Sequence, residues 1–488
     1  MRSIILSKAQ LKKKDNFTLK EAQKLFGISI RKLSFLIRKD IIFPIVDNGL
    51  ILIPREEIEK YLNLPKKTRS KHHASYLKTL GPGLITGASD DDPSGIGTYS
   101  MVGSTYGLGL NWLALYLLPM MTAIQETVAR IGIVTGKGLA GAISKHFGKK
   151  IIYPLVILLV IANTVNIGAD IGAMVASFQL IVPINFYIGA CILTFAIIFL
   201  EVSLPYHKYA KVLKWLTLSL FAYIITGIII QPDWLEVVKS IAIPKISFDS
   251  AFIAAMVAVM GTTITPYLFF WQASEEIEEE RDKGILSDHR AIATRHEIKE
   301  MRKDTYIGMA LANIVFLFVV ITTAFVLYKN GITNINSAED AAMALRPLAG
   351  NFASLLFTVG IFGVGLLAVP VLAGSSAYAV SEVLKWHEGL NKKFKQARGF
   401  YGIIIVSMVV GLGLNFLHIN PIKALYYAAI LNGIVAPILM FFIFKIGRDK
   451  KIMGEFTNPH WVNVWGWIVT ILMGVSAIAL LIFLLLGL

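Results

Sequence analysis

Cysteine is all but missing from this chain. The single Cys191 excludes an internal disulfide framework and a zinc site built on cysteines. Charge is scarce too: Asp, Glu, Lys and Arg make up 16% of the 488 residues, against about 25% in soluble domains. No nucleophile–base pair, phosphate loop or zinc motif stands at a recognisable spacing, so neither enzyme activity nor a resident cofactor is expected. No long apolar run precedes about residue 80, and no signal peptide is expected.

What the chain has in excess is apolar sequence, 55% of residues with a mean hydropathy of +0.64. Its long uncharged runs predict an all-α polytopic membrane protein embedded in a lipid bilayer. About eleven spans are expected, near 80–105, 108–133, 151–179, 184–203, 210–230, 250–274, 304–328, 351–384, 400–418, 420–445 and 462–487. Lys and Arg gather in alternate loops, for example Lys145, Lys149 and Lys150, then Lys208, Lys211 and Lys214, then Lys392, Lys393 and Lys395. That asymmetry puts the N-terminus inside the plasma membrane and the C-terminus outside. In the cytosolic segment after the sixth span, the Glu275-Glu-Ile-Glu-Glu-Glu280 run reads as a solvated helix extension. His72, His73, His146, His289, His296 and His387 lie in basic extramembrane segments and read as solvated rather than ligating.

Residues 1–78 hold 18 Lys/Arg against 7 Asp/Glu. They read as a separate cytosolic domain, 1–64, and a basic linker, 65–79, ahead of a transmembrane domain, 80–488. Thr18-Leu-Lys-Glu21 is a capping box that starts a helix ended by Gly27. Ser29 caps a second helix from about Ile30 to Arg38, and Asp47-Asn48-Gly49 turns a hairpin within Phe43–Pro54. Pro54 sits in the first turn of a third helix. The order resembles the small α+β winged helix-turn-helix domains of the excisionase and MerR type. The resemblance implies nucleic-acid contacts by Arg31, Lys32, Arg38 and Lys39. The alternative is a basic domain that docks on protein or anionic lipid.

The first span is the unusual one. It places Asp90, Asp91 and Asp92 near its middle, directly before Pro93, with Gly87, Gly95 and Gly97 around them. Each acid would cost about 2.5–3.5 kcal/mol at the centre of a spanning helix. Such a segment is tolerable only where its broken backbone and its acids face protein, water or a cation. The expectation is an unwound helix that binds a positive ion; the alternative is an extramembrane loop between two short apolar pieces. Five spans later, Met260-Gly-Thr-Thr-Ile-Thr-Pro-Tyr267 is interrupted by Gly261 and Pro266 and offers the hydroxyls of Thr262, Thr263 and Thr265. Two broken spans at equivalent places in two halves point to a substrate site. Carboxylate, hydroxyl and carbonyl oxygens suit hard cations such as Mg2+, Ca2+ or Mn2+.

Gln125-Glu-Thr-Val-Ala-Arg-Ile-Gly-Ile-Val-Thr-Gly-Lys-Gly-Leu-Ala140, with Gly81-Pro-Gly83 and Gly365-Leu-Leu-Ala368, resembles the Nramp family of proton-coupled divalent-metal transporters over about residues 80–488. The resemblance implies a LeuT-like inverted repeat of five plus five helices with an eleventh. The family's first-span Asp-Pro-Gly-Asn falls on Asp92-Pro93-Ser94-Gly95, so Asp92 keeps the ligand carboxylate and Gly95 replaces the asparagine. In the sixth span, Thr265 stands at the family's methionine and Tyr267 at its histidine. The carbonyls of Ser89 and Thr262 fall on metal-ligating positions. Asp170 corresponds to the third-span acid of the proton route, and Asn432 is a candidate for the tenth-span glutamine. The missing methionine resembles the magnesium-transporting branch.

The reading is a secondary transporter of Mg2+ or Mn2+ working by alternating access. Asp92, Asp91, Ser89, Thr262 and Thr265 hold the ion, and Asp90, Gly95, Tyr267, Asp170 and Asn432 line its surroundings. Its rivals are an organic-cation or amino-acid carrier on the same fold, and a membrane-anchored metal sensor acting through residues 1–64.

Overall fold

A computed structural model describes residues 15–38, 42, 45–47, 50–63, 81–203, 218, 220–282 and 293–486. The linker 65–79, Lys39 and the start of the fifth span lie outside them.

The N-terminal segment runs β1 (Asn16–Phe17), α1 (Leu19–Phe26), α2 (Ile30–Arg38), β2 (Ile45–Asp47), β3 (Leu50–Pro54) and α3 (Arg55–Asn63). The Thr18 hydroxyl accepts from Glu21 N, and the Glu21 carboxylate accepts from Thr18 N at 2.8 Å; Gly27 ends α1 in the left-handed conformation. β2 and β3 pair antiparallel with Asp47 opposite Leu50; the expected turn residues Asn48 and Gly49 lie outside the described residues. The third helix starts one residue later than expected. Pro54 belongs to β3, opposite Asn16 of the short strand β1, and the sheet order is β1-β3-β2. Phe17, Ala22, Leu33, Leu36, Ile53 and Ile58 form a small core of their own.

The remainder is a helical body. The first span is two helices, α4 (Pro82–Asp90) and α5 (Pro93–Tyr106). Then come α6 (Leu113–Thr135), the short α7 (Leu139–Phe147), α8 (Lys149–Phe178), α9 (Phe186–Ser203) and α10 (Phe221–Ile229). The sixth span is again two helices, α11 (Ser250–Thr263) and α12 (Pro266–Asp282). α13 (Arg295–Val326), α14 (Ala353–Leu384), α15 (Arg398–Leu414), α16 (Pro421–Gly447) and α17 (His460–Leu486) complete it. Among the described residues nine helical runs are long and apolar enough to cross a membrane. The broken first span and the fifth are the two expected spans outside that set.

The packing pairs up when each of the first five spans is exchanged with the span five later. α5 lies on α13 as α12 lies on α6, α8 lies on α9 as α14 lies on α15, and α8 and α14 cross each other. Ile188, Ile192, Phe195 and Phe199 form an exposed apolar stripe on α9, as Ile471, Val475, Ile478 and Ile482 do on α17. Stripes of this kind suit a lipid surface.

Close approaches fix the broken helices. A Cβ on Gly83 would lie 2.6 Å from Thr305 N, and one on Gly87 2.6 Å from Gly308 Cα, so α4 packs on α13 backbone to backbone. Gly81 has no side chain to cap α4, and Asp304 of α13 supplies the cap, accepting from Gly83 N at 2.7 Å and Leu84 N at 3.2 Å. On the other side, a Cβ on Gly261 would lie 2.6 Å from Gly433 Cα, pressing α11 against α16.

The Glu275–Glu280 run is helical, as expected, but not solvated. α12 continues to Asp282 and its last turns pack against α14, leaving Glu275, Glu276, Glu278 and Glu280 buried. The Tyr378 hydroxyl lies 2.5 Å from Glu278 Oε1 and 3.3 Å from Glu275 Oε1, and Leu390 N donates to Glu278 Oε1 at 3.0 Å. These acids tie down the loop after α14. In that loop burial, reinforced by the nearby Glu382 charge, pushes the Glu388 carboxyl up to about 9.

Candidate metal-binding site

Each broken span is interrupted in the same way. Proline has no N–H, so the carbonyl four residues before it loses its helical donor. Pro93 does this to Ser89 and Pro266 does it to Thr262. Polar backbone of this kind is costly inside a bilayer unless something answers it.

Asp92 stands at the first break and begins α5. Its Oδ1 accepts from Gly95 N at 2.8 Å and from the Ser94 hydroxyl at 2.6 Å. Its Oδ2 accepts from Asn166 Nδ2 at 3.0 Å and lies 3.3 Å from the Tyr267 hydroxyl. The Tyr267 hydroxyl also donates to the Ser89 carbonyl at 2.7 Å. Thr262 Oγ1 is 3.2 Å from Ser94 Oγ. Ser94 gives its one proton to Asp92, so Thr262 donates in that pair. One carboxylate is thus held by groups from α5, α8 and α12, with α11 one hydroxyl away.

The structure therefore brings together Asp92, Ser89, Thr262 and Tyr267. Gly95 belongs with them, since a Cβ there would lie 3.5 Å from Thr262 Oγ1 and 3.2 Å from the Asp90 carbonyl. Thr265 is buried at the second break and its hydroxyl has no partner. Asp90 ends α4 and Asp91 follows it. Both are buried; neither oxygen of Asp90 has a hydrogen-bond partner, and Oδ1 of Asp91 has none. Asp170 lies one turn after Asn166 on α8, buried, with neither carboxylate oxygen bonded. Asn432 is buried on α16 beside the Gly261–Gly433 contact, and its amide bonds to none of the site residues. Arg31 and Lys32 are exposed on α2, away from this site in sequence; the side chain of Arg38 lies outside the described residues.

No group of three His, Cys, Asp or Glu side chains close enough to share a metal occurs among the described residues. Any cation here meets fewer than three such side chains, and neutral oxygens supply the rest of a donor set suited to hard ions. Buried acids without hydrogen-bond partners are costly as anions, and a cation offsets that cost.

Three supports were not foreseen from sequence. Asn166 is the first; it stands four residues before Asp170, on the same face of α8, and that spacing was a readable signal. The second is the Tyr99 hydroxyl, 2.9 Å from Thr263 Oγ1, which joins α5 to α11. The third is a network around the buried Glu126 of α6. It pairs with Arg130, lies 3.1 Å from Arg302 Nε, and accepts from the Tyr306 hydroxyl at 2.5 Å, joining α6 to α13.

Residues 83–483 match the sequence profile of the family described as natural resistance-associated macrophage protein-like, Nramp. The divalent metal cation transporter MntH of Klebsiella pneumoniae (strain 342) is 26% identical over 402 residues, covering 80% of this chain and 91% of that protein. The protein of the same name from Caldanaerobacter subterraneus subsp. tengcongensis is 28% identical over 407 residues, 81% of this chain and 90% of that one. The fold is similar to that of a crystal structure of the Eremococcus coleocola manganese transporter, with a TM-score of 0.64, 19% identity, and coverage of 83% of this chain and 86% of that chain. With its family profile matched across nearly the whole helical body, this multi-pass membrane protein belongs to the Nramp family.

Proposed function

We propose that the chain carries divalent metal cations, Mg2+ or Mn2+, across the cell membrane by alternating access, with the ion bound between the two broken helices. One observation carries the reading: the buried Asp92 carboxylate lies where two spans are each cut by a proline that frees a carbonyl. The names of its relatives, divalent metal cation transporters, support it.

In this reading Asp92 is the charge partner. The Ser89 and Thr262 carbonyls, the Thr265 hydroxyl and Asp91 complete an oxygen shell. Asp90 and Asp170 draw the ion inward, and Asn432 lines the route. The shell has no thioether, so it lacks the soft ligand that discriminates against Mg2+. Mg2+ gives up water reluctantly, so the ion is held with part of its water shell. With tyrosine instead of histidine at 267, uptake runs on the ion gradient and the membrane potential, which favours entry by about 2.3 kcal/mol per charge per 100 mV.

The test is uptake into proteoliposomes. Asp92→Ala is expected to abolish Mn2+ and Mg2+ flux while the protein elutes as a folded species in detergent. Flux at the unaltered rate would remove the site. Titration with an amine and amino-acid panel separates the organic-substrate reading. The N-terminal segment, with Arg31 and Lys32 exposed on α2, is a winged-helix-like module for DNA or a protein partner in this reading.

A further inference from the structure

Three donors hold the Asp92 carboxylate, and the Tyr267 hydroxyl lies against it. Oδ1 has the Ser94 hydroxyl and the Gly95 amide, and Oδ2 has the Asn166 amide and the Tyr267 hydroxyl. The Ser89 carbonyl, freed by Pro93, is in turn engaged by Tyr267 at 2.7 Å. A dication that contacts both Ser89 O and Asp92 Oδ2 must enter the space between them, which the Tyr267 hydroxyl now fills. The Tyr267 hydroxyl is the one group in contact with both. It is also at the end of a side chain, whereas the Gly95 N–H is fixed in the first turn of α5.

We infer that the Tyr267 hydroxyl is a placeholder for the transported cation. It bridges the end of α4 to Asp92 and thereby ties both to α12, and the ion takes over that bridge when it binds. This rests on the site proposed above. Tyr267 is then a positioning residue that competes with the ion rather than a ligand. Its phenol has one proton and gives it to Ser89 O at the shorter distance, leaving a weaker contact to Asp92. Competition of this kind weakens apparent affinity, because each binding event first breaks a hydrogen bond in a buried, low-dielectric site. It also couples occupancy to helix position: the tie between α4 and α12 is loosened only when an ion replaces it.

The chemistry predicts opposite effects of one substitution on two forms of the protein. Tyr267→Phe removes the hydroxyl and keeps the ring that packs in the core. Before metal is added, its melting temperature should fall below that of the unaltered protein. With saturating Mn2+ the two should melt together, so the metal-induced shift is larger in the variant. Mn2+ should bind the variant more tightly, by up to about tenfold, the scale of one hydrogen bond to a carbonyl. Weaker binding or an unaltered metal-induced shift would overturn the placeholder, the first by making Tyr267 a ligand and the second by making it purely structural.

A second measurement does not depend on the variant folding. 3-Fluorotyrosine placed at 267 in the otherwise unaltered chain should show a change of its 19F signal on adding Mg2+; an unmoved signal at saturation overturns the inference. Asp92→Ala separates the two claims. Retained metal binding in that variant defeats the site itself. Lost binding there, with no gain in Tyr267→Phe, leaves the site standing and removes only the placeholder.

Discussion

In the site proposed above, the side chain at position 265 sets what kind of ion is accepted. Thr265 is buried at the break in the sixth span, and its hydroxyl has no protein partner. An unanswered buried hydroxyl is costly, and a cation or its retained water answers it. Replacing that hydroxyl by a thioether changes the hardness of the shell and leaves the charge of Asp92 alone. Thr265→Met is therefore expected to keep Mn2+ uptake and to weaken Mg2+ as a competitor by about tenfold. Mn2+ uptake measured against rising Mg2+ checks this. Equal competition by Mg2+ before and after the change would take Thr265 out of the shell. Asn166 belongs to the same scale. It holds Asp92 Oδ2 from α8, and its partner oxygen, Oδ1, is itself unbonded and buried, so the amide is oriented by the carboxylate alone.

At the scale of elements, the breaks depend on helices that approach without side chains between them. Gly261 meets the backbone of Gly433, while a Cβ on Gly97 would meet the end of a side chain, Leu425 Cδ1 at 2.6 Å. A backbone cannot step aside as a leucine tip can. Gly261→Val is expected to destabilise the protein by about 1–3 kcal/mol or more, seen as a lower melting temperature in detergent and lost transport. Gly97→Ala should cost clearly less, and equal losses would contradict the packing account. The two breaks themselves were legible in sequence, because a proline after three acids and a proline after three threonines are local signals. So were the capping box at Thr18 and the antiparallel pairing of β2 with β3. What could not be read was set by contacts distant in sequence. The run Glu275–Glu280 looks solvated by composition, yet Tyr378 and the Leu390 amide bury it. Pro54 looks like a helix opener until Asn16 pairs with it and keeps it in a strand. The groups around Asp92 come from three helices; Gly95 and Tyr267 were expected near the ion, whereas Ser94 and Asn166 were not.

For the molecule as a whole, the question is how much of the chain transport needs. Residues 15–63 have a core of their own around Phe17, Leu33, Ile53 and Ile58, and the helical body has another. Removing the first leaves every buried contact of the second in place. It also removes many of the 18 Lys/Arg that precede residue 79, and positive charge sets orientation in the bilayer. The remaining inside loops still carry Lys145, Lys149 and Lys150, then Lys392, Lys393 and Lys395, so orientation should survive. A chain lacking residues 1–64 is therefore expected to insert the same way, by protease protection of a C-terminal tag, and to take up Mn2+ at an undiminished rate. Retained insertion with lost uptake would make the N-terminal segment part of the transport cycle, as the sensor reading requires. Inverted insertion would instead show that its charge is what orients the whole body, a different role with a different remedy: adding lysines to the retained linker should then restore uptake without restoring the fold of residues 15–63.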